Sequence, residues 1–311
     1  MLLAEARLFE ILMSTMVKIK RQHHYSNTKA RRASLRQGQK EYLQQREDGE
    51  ETVIPNKFHK QQANIVRSQT PLWLYGYHAV LAAIRNPRRK KNRLLVTTEG
   101  VSKIHRDISD VTPEIVGRSE IEMLLPRAAV HQGIALLVQP LEPVTLEKIL
   151  ENAAPDAVIL LLDQVTDPQN IGAALRNAAA FGATAVVLTT RHSTSAEASL
   201  AKAASGALDV IPIVRVTNLA RTLNILKDSE FWCIGLADTE KDCVDAAPFS
   251  GRVALIMGAE GSGLRRLTRK YCDMLVSLPT QPPITSINIA AATAVALYEI
   301  SRQRRTMAAK L

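Results

Sequence analysis

Several features that are common in proteins are scarce or missing in this 311-residue chain. Aromatic residues make up only 4% of it, so its core must be built mainly from Ala, Leu, Val and Ile. The three cysteines, Cys233, Cys243 and Cys272, form no CxxC pair, which predicts reduced thiols and no zinc site. No apolar run reaches the roughly 18–20 residues of a membrane span. These absences favour a cytoplasmic protein with neither a metal ion nor a membrane segment.

The chain also lacks the glycine-rich turn of common nucleotide-binding folds. The apolar run AVILLL (157–162) is followed by DQVTDPQN, without the GxG of a dinucleotide-binding unit, and no GxxxxGK[ST] loop occurs. A Rossmann oxidoreductase is therefore disfavoured. Glycines cluster instead in MGAEGSGL (257–264), after a later apolar run, and this is where the sequence predicts a ligand loop.

Positive charge is in excess, with 40 Lys and Arg against 30 Asp and Glu and a net charge of +10. Residues 1–70 hold more than half of that excess, with 13 Lys and Arg against 7 Asp and Glu. An anionic partner such as nucleic acid would explain it. Because residues 1–70 have almost no apolar periodicity, we expect a disordered basic extension, either a solubilising tail or an arm that contacts phosphates.

The order of apolar runs predicts two α/β units. LWLY (72–75), a helical pattern at 76–86 and strand-like runs at 93–98 and 134–139 indicate a small unit over 71–140. Residues 141–156 have the prolines and the short helix of a linker. From 157 to 311, apolar runs alternate with helical patterns, which predicts a parallel sheet covered by helices on both faces. The strands are expected at 157–162, 184–189, 210–216, 231–237, 252–257 and 274–278, and the helices at 168–181, 196–206, 217–227, 262–271 and 287–303.

The first motif is DPQNIGAALRN (167–177). Asp167-Pro168 predicts a helix start, with an Asp N-cap and a Pro at the first helical position. Asn170 is then either a second capping residue or a functional amide. Arg176 is either a surface cation or a ligand-binding group, and its Ala- and Leu-rich flanks predict a helix packed nearly all round, in which a guanidinium needs an acceptor.

Two further motifs follow apolar runs near the end of the chain. In MGAEGSGL, Gly258 and Gly261 allow a ligand close to the backbone, and Glu260 is either a functional carboxylate or an exposed residue of a plain turn. In SLPTQPPITSINIAAATAVALYE (277–299), Ser286 is expected to be the N-cap of the last helix. Asn288 is expected in its first turn, where capping explains it less well.

Together the three motifs resemble those of the SpoU (TrmH) family of RNA ribose 2′-O-methyltransferases, in the SPOUT superfamily. DPQNIGAALRNAAAFGA, LIMGAEGSGL and LPTQPPITSINIAAATAVALYE are similar to its first, second and third motifs, in the same order. Upstream, LYGYHAVLAAI and HQGIALLV are similar to the substrate-binding domain of the subgroup that methylates a guanosine of 23S ribosomal RNA. The resemblance implies a deep C-terminal trefoil knot within 157–311 and a homodimer formed through that domain.

The resemblance also implies a cofactor and roles for individual residues. S-adenosylmethionine is expected in the knot, without a metal, against Gly258, Gly261, Leu278, Pro279 and Ile287. The residues expected at the reacting ribose are Arg176, Asn170, Glu260, Ser286 and Asn288. The family mechanism makes the arginine a general base. Because a guanidinium group stays protonated in proteins, we expect it instead to stabilise negative charge on the ribose oxygen.

Two other functions stay open at the level of sequence. One is ribose methylation of transfer RNA, although tRNA-specific relatives commonly lack the upstream domain. The other is a non-catalytic RNA-binding or ribosome-assembly factor, because Thr280, Pro282 and Ala290 depart from the residues usual in the third motif.

Overall fold

The computed structural model of the protein describes residues 71–104, 111–127, 129–189, 200, 203–204, 206–238, 240 and 242–308. The disorder expected for residues 1–70 falls outside this part of the chain. Within it, no helix combines the length and the apolar character needed to cross a membrane.

A four-stranded sheet forms the small unit. Its elements are β1 (Leu72–Tyr75), α1 (Tyr77–Arg85), β2 (Lys91–Val96), α2 (Thr98–Ile104), β3 (Pro113–Ile115), α3 (Arg118–Leu124) and β4 (Ile134–Val138). The strand order is β1-β4-β2-β3, with β4 antiparallel to both β1 and β2, and β3 parallel to β2. The sequence predicted β1, α1, β2 and β4, with β2 displaced by two residues. It missed α2, β3 and α3.

A six-stranded parallel sheet forms the larger unit. Its elements, after α4 (Leu146–Glu151), are β5 (Val158–Asp163), α5 (Pro168–Ala180), β6 (Ala185–Thr189), α6 (Ala207–Val210), β7 (Ile213–Val216), α7 (Leu219–Asp228), β8 (Trp232–Leu236), β9 (Val253–Gly258), α8 (Arg266–Tyr271), β10 (Met274–Val276) and α9 (Ile289–Ala308). The strand order is β10-β8-β9-β5-β6-β7, and every neighbouring pair is parallel. The predicted parallel α/β architecture is confirmed.

Helices cover both faces of this sheet, which is why its strands are continuous apolar runs. All six residues of β5, VILLLD, are buried. On one face Leu160 packs in a core cluster with Leu175 of α5 and Leu297 of α9. On the other face Ile159 packs with Leu223 of α7. The alternation of the side chains along β5 therefore serves two cores, one above the sheet and one below it.

Three element boundaries differ from those predicted. The strand expected at 210–216 begins only at Ile213, because the short helix α6 precedes it and ends before Pro212, which cannot continue a helix. The helix expected at 262–271 begins at Arg266, after a loop. The last helix begins at Ile289 and extends to Ala308. The helix expected at 196–206 lies mostly outside the described residues.

The connection between β8 and β9 packs against α9. Phe249 is fully buried in the same core cluster as Ile300 of α9. The guanidinium of Arg304 donates hydrogen bonds to the carbonyl oxygens of Phe249 (3.1 Å) and Gly251 (2.8 Å). On another side of α9, the amide of Asn177 in α5 donates to the carbonyl oxygen of Ala290 (2.7 Å). The last helix is thus fixed both to α5 and to the β8–β9 connection.

Candidate active site

The three motifs meet at one edge of the large sheet. The strands β5, β9 and β10 all end there, and the loops 164–167, 259–265 and 277–288 follow them. In open parallel sheets, ligands bind at the carboxyl ends of the strands. The fold therefore brings together residues that are up to 118 positions apart in the sequence, as the bond between Asn170 and Asn288 shows.

Helix α5 begins as predicted. Asp167 is its N-cap, and its carboxylate accepts hydrogen bonds from the backbone N–H groups of Gln169 (3.1 Å) and Asn170 (3.4 Å). Pro168 occupies the first helical position, where its missing N–H costs nothing. This cap leaves the side chain of Asn170 free for other partners, so Asn170 is not a second capping residue.

Asn170, Glu260 and Asn288 form one hydrogen-bonded cluster, called here the amide–carboxylate cluster. Asn170 Nδ2 donates to Glu260 Oε1 at 3.1 Å. Asn288 Nδ2 donates to the same oxygen at 2.8 Å and to Asn170 Oδ1 at 2.9 Å. Each of the three residues comes from a different motif. The structure thus brings these three predicted site residues into direct contact.

The hydrogen-bond donors and acceptors that the cluster leaves unused decide what else it can bind. Asn288 Nδ2 uses both of its hydrogens inside the cluster, whereas Asn170 Nδ2 uses one of its two. Glu260 Oε1 accepts two hydrogen bonds, and Oε2 accepts none from the described residues. One amide N–H and one carboxylate oxygen therefore remain available. A hydroxyl group, which donates one hydrogen bond and accepts others, matches that pair.

Asn288 is also the N-cap of α9, and Ser286 is not. Asn288 Oδ1 accepts the backbone N–H of Ala290 at 2.9 Å, so the amide caps the helix with its oxygen and serves the cluster with its nitrogen. Ser286 lies two residues before it, exposed, and makes no hydrogen bond with the described residues. The expectation that Ser286 caps this helix was wrong, because the helix begins three residues later than that position.

Arg176 does not reach the amide–carboxylate cluster. It lies six residues after Asn170 on α5, about 9 Å along the helix axis and about 240° around it. Its side chain is exposed and has no hydrogen bond or ion pair with the described residues. The prediction of a helix packed nearly all round was wrong here, because Arg176 faces a cleft that also contacts α1. The structure leaves this guanidinium available to an outside acceptor.

The loop 258–265 is closed on itself and anchored to β5. A Cβ atom at Gly258 would lie 2.2 Å from the carbonyl carbon of Gly263, so only glycine fits. The carboxylate of Asp163, fully buried at the end of β5, accepts Arg265 Nε at 2.7 Å and the Arg265 backbone N–H at 3.2 Å. Sequence reasoning missed Asp163, Arg265 and also Asn177. The only signal for Asp163 was a carboxylate at the end of an apolar strand, which would need a partner.

The residues expected to hold the cofactor line the same edge. Leu278 is partly buried against the core, whereas Pro279 is exposed and Ile287 is 39% exposed. Thr280, one of the departures from the family pattern, closes this loop through a hydrogen bond from its hydroxyl to the carbonyl oxygen of Thr285 (3.0 Å). Exposed apolar side chains next to accessible backbone suit a ligand with an aromatic ring and polar edges. The residues present therefore fit the expected S-adenosylmethionine.

The cysteines take no part in this site. All three are free. Burial raises the pKa of Cys272 to about 12 and places the pKa of Cys233 well above its ordinary value. Both are therefore unreactive thiols at neutral pH. Among the described residues, no group of three or more His, Cys, Asp or Glu is placed to hold a metal ion. That the reaction needs no metal stays a prediction.

Comparison with known families finds two matches. Residues 157–298 match the model of the SpoU rRNA methylase family. Residues 73–144 match a family described as RNA 2′-O ribose methyltransferase substrate binding. The two matches correspond to the large and the small sheet.

Curated relatives and solved structures agree with these matches. The chain is 41% identical over 241 residues to the 23S rRNA (guanosine-2′-O-)-methyltransferase RlmB of Pseudomonas putida, covering 75% of this chain and 96% of the relative. It is 38% identical to RlmB of Ralstonia nicotianae, and the match covers 76% of this chain and 98% of the relative. Its fold is similar to that of the SpoU methyltransferase AviRb from Streptomyces viridochromogenes in complex with AdoMet, with a TM-score of 0.64 and 21% identity over 81% of this chain and 94% of that one.

Proposed function

Since the chain belongs to the SpoU rRNA methylase family, we propose that it methylates the 2′-oxygen of a guanosine ribose in 23S ribosomal RNA, with S-adenosylmethionine as the methyl donor. The observation that carries this proposal is the amide–carboxylate cluster. It unites one polar residue from each motif and leaves a donor and an acceptor for a hydroxyl group.

The loops 258–263 and 278–287 would hold the cofactor between them. Gly261, beside which a Cβ would meet nothing within 4 Å, would give close access to the backbone, Gly258 would let the loop fold back onto Gly263, and Leu278, Pro279 and Ile287 would contact the apolar parts of the ligand. When bound, S-adenosylmethionine supplies an electrophilic methyl group. The pair between Asp163 and Arg265 holds the loop after β9 in place, so the cofactor meets a preformed surface.

The ribose is positioned by the amide–carboxylate cluster. The free N–H of Asn170 donates to one ribose oxygen, and Glu260 Oε2 accepts the hydrogen of a ribose hydroxyl. Asn288 orients both of these side chains and joins them to α9. Ser286, exposed in the loop before α9, contacts the RNA rather than the helix. Holding the attacking oxygen in line is worth about 7–11 kcal/mol in favourable cases.

Arg176 stabilises the negative charge that develops on the 2′-oxygen as its proton passes to Glu260 Oε2, the carboxylate oxygen that accepts no hydrogen bond from the described residues. A guanidinium stays protonated, which makes it a donor rather than a base. Its separation from the cluster within one chain supports a site completed by two protomers. We therefore place Arg176 and the cluster on opposite sides of one RNA strand in a homodimer.

The dimer forms through the large unit, on the face of α9 that the single chain leaves exposed. Val295 is 45% exposed and Tyr298 is 49% exposed, and they lie three residues apart on one side of the helix. Exposed apolar side chains that share a helix face are typical of association surfaces.

We further propose the domain division 71–140 for RNA binding, 141–156 for the linker and 157–311 for the methyltransferase domain, with the cytoplasm as its location. The last segment, 277–308, is proposed to thread through the β8–β9 connection as a trefoil knot. The bonds from Arg304 to Phe249 and Gly251 support this threading. A crystal structure in which 277–308 passes outside that connection would contradict it.

Ribosomal RNA is favoured over transfer RNA as the substrate. Relatives that share about 40% identity along almost their whole length are named for 23S rRNA, and residues 73–144 match an RNA substrate-binding family. A non-catalytic factor is disfavoured because Asn170, Glu260 and Asn288 are present and hydrogen-bonded to one another. Ala290 contributes its backbone carbonyl to Asn177, so the loss of the usual side chain there removes nothing from the cluster.

The proposal is tested by mapping ribose 2′-O-methyl groups on ribosomal and transfer RNA from cells with and without the gene. One guanosine of 23S rRNA is expected to lose its mark in the deletion strain. If a mark were lost from transfer RNA instead, transfer RNA would be the substrate. Survival of every mark would support the binding-factor function.

A further inference from the structure

A cleft of about 540 Å³, called the α1–α6 cleft, lies between the small and the large unit. Helix α1 forms one wall with His78 and Arg85, and α5 and α6 form the other with Arg176 and Val210. Pockets that bind small ligands or single nucleotides have about this volume. Arg176 thus has its side chain in a cleft rather than on a plain surface.

The walls of the α1–α6 cleft are fixed to each other. Arg89, which follows α1, pairs with Asp209 of α6, and both side chains are almost completely buried, at 4% and 2% exposure. Asn86 Nδ2 donates to the same carboxylate at 3.0 Å. A Cβ at Gly206 would lie 2.8 Å from the carbonyl oxygen of His78, so the backbones touch. The cleft is therefore preformed, and the acidic Asp209 is already neutralised by Arg89.

The cleft combines an apolar floor with a basic rim. Its floor consists of small and aliphatic side chains, among them Leu81, Ala179 and Ala207, and Val210 is 65% exposed at its edge. The cationic side chains of Arg85 and Arg176 are exposed at the rim, together with His78. An aliphatic floor suits the face of a nucleobase, and guanidinium groups suit its phosphates.

More positive charge continues outward from this rim. The segment 85–93, RNPRRKKNR, contains six basic residues and no acidic one, and two of the six are paired elsewhere, Arg89 with Asp209 and Arg93 with Glu114. Arg88 and Lys90 are exposed, and among the described residues the Arg88 guanidinium donates to one backbone carbonyl alone, that of Glu142. Such a stripe favours a polyanion that extends beyond the cleft over an isolated small anion.

We propose that the α1–α6 cleft binds a nucleotide that flanks the target guanosine in single-stranded RNA. Its base lies on the floor formed by Leu81, Ala179 and Ala207, and its phosphates contact Arg85, while Arg176 at the same rim contacts the neighbouring target ribose. A cleft of this volume excludes an A-form double helix but admits one unstacked nucleotide. The inference rests on the proposed function and deepens it, because it identifies the surface along which the RNA strand reaches Arg176.

The test places a carboxylate in the cleft. Val210→Glu adds a negative charge at an exposed position, and Leu267→Glu is the matched control, since Leu267 is 55% exposed on α8. Both proteins are titrated with a 23S rRNA fragment without cofactor, and thermal unfolding verifies their folding. Val210→Glu is expected to weaken RNA binding and to raise the KM for RNA by about tenfold or more. Its affinity for S-adenosylmethionine should equal that of the control.

A second variant tests the rim. For Arg85→Ala, the plot of the logarithm of the RNA association constant against the logarithm of salt concentration should be less steep by about 0.7. This is the change expected when one phosphate contact on a single strand is lost. Arg221→Ala, on α7 at the opposite face of the sheet, should leave the slope unchanged. Equal RNA binding by Val210→Glu and Leu267→Glu, or an unchanged slope for Arg85→Ala, would overturn the proposal.

These outcomes are separate from failure of the proposed function. If the wild type methylates RNA but Val210→Glu binds it normally, the cleft assignment is wrong and the function stands. If the wild type binds RNA and transfers no methyl group, the function is wrong, and the binding data still decide on the cleft. Absence of RNA binding by the wild type overturns the cleft assignment.

Discussion

At the scale of single residues, the side-chain amide of Asn288 has two tasks. Its oxygen caps α9 by accepting the N–H of Ala290, and its nitrogen donates to Asn170 and Glu260. Losing a cap costs about 1 kcal/mol of stability, while losing the two donated bonds would free Glu260 to turn away from the substrate. Helix formation at 289–308 and the geometry of the candidate site therefore depend on the same amide.

Arg176→Ala tests the assigned catalytic residue. The side chain is exposed and has no partner among the described residues, so its removal should leave the thermal unfolding temperature and the affinity for S-adenosylmethionine unchanged. Methyl transfer to RNA should fall by about 10²–10³-fold, the usual effect of removing one donor from a developing oxyanion. Transfer rates are measured with labelled cofactor, with Arg221→Ala as the control. Turnover close to that of the wild type would contradict the role given to Arg176.

At the scale of elements, the loop between β9 and α8 is rigid for reasons that lie partly in its own sequence. Gly258 allows the chain to return upon Gly263, and Arg265 ties the end of the loop to the buried Asp163. The glycines of GAEGSG indicate a close approach of the backbone, but not which residue it approaches. The bond between Arg265 and Asp163 joins residues 102 positions apart, so the local sequence does not predict it. A rigid loop spares the cofactor the cost of ordering it.

Gly258→Ala is expected to disrupt this loop. A methyl group at this position would overlap the backbone of Gly263, so the loop must shift, at a cost of about 1–3 kcal/mol. Calorimetric titration should show the affinity for S-adenosylmethionine falling by about tenfold or more. Gly117→Ala is the control, because Gly117 has φ of −70° and its nearest neighbour would lie 3.4 Å away. Equal affinities for the two variants would show that the loop tolerates the methyl group.

Element starts were predictable where the local sequence determines them. Asp167-Pro168 marks the beginning of α5, and the continuous apolar runs mark β5, β6 and β9. The start of α9 was misplaced because Ser286 and Asn288 are both good N-caps, and tertiary contacts with Asn170 and Glu260 favour the second. Strand β3 was missed because its three residues are at most partly buried and carry no apolar alternation.

At the scale of the whole molecule, the two sheets are joined by a buried ion pair rather than by a bare linker. Arg89 and Asp209 sit 120 residues apart, so neither residue could be assigned to an interface from one sequence. The three motifs predicted one site for Asn170, Glu260 and Asn288, which the structure brings into contact, but they did not predict that Arg176 would lie in a cleft away from them. That separation is the reason for proposing a site built by two protomers.

The double variant Val295→Lys with Tyr298→Lys tests the proposed dimer. Two charges placed on the exposed apolar face of α9 would be buried without partners in a dimer, which is strongly unfavourable. Sedimentation should show a dimer for the wild type and a monomer for the variant, with methyl transfer lost as well. Leu267→Lys, exposed on α8, should remain a dimer. A monomeric wild type, or a variant that still dimerises, would contradict the assignment of this face.

The central claim is that the amide–carboxylate cluster and its neighbouring loops transfer a methyl group to a ribose of 23S rRNA. The most direct measurement incubates the purified protein with methyl-labelled S-adenosylmethionine and 23S rRNA from cells that lack the gene, followed by digestion to nucleosides. The account predicts that the label appears as 2′-O-methylguanosine, at about one per rRNA molecule, and that Arg176→Ala slows its appearance by about 10²–10³-fold. Label on a base, label on another nucleoside, or no label at all would contradict it.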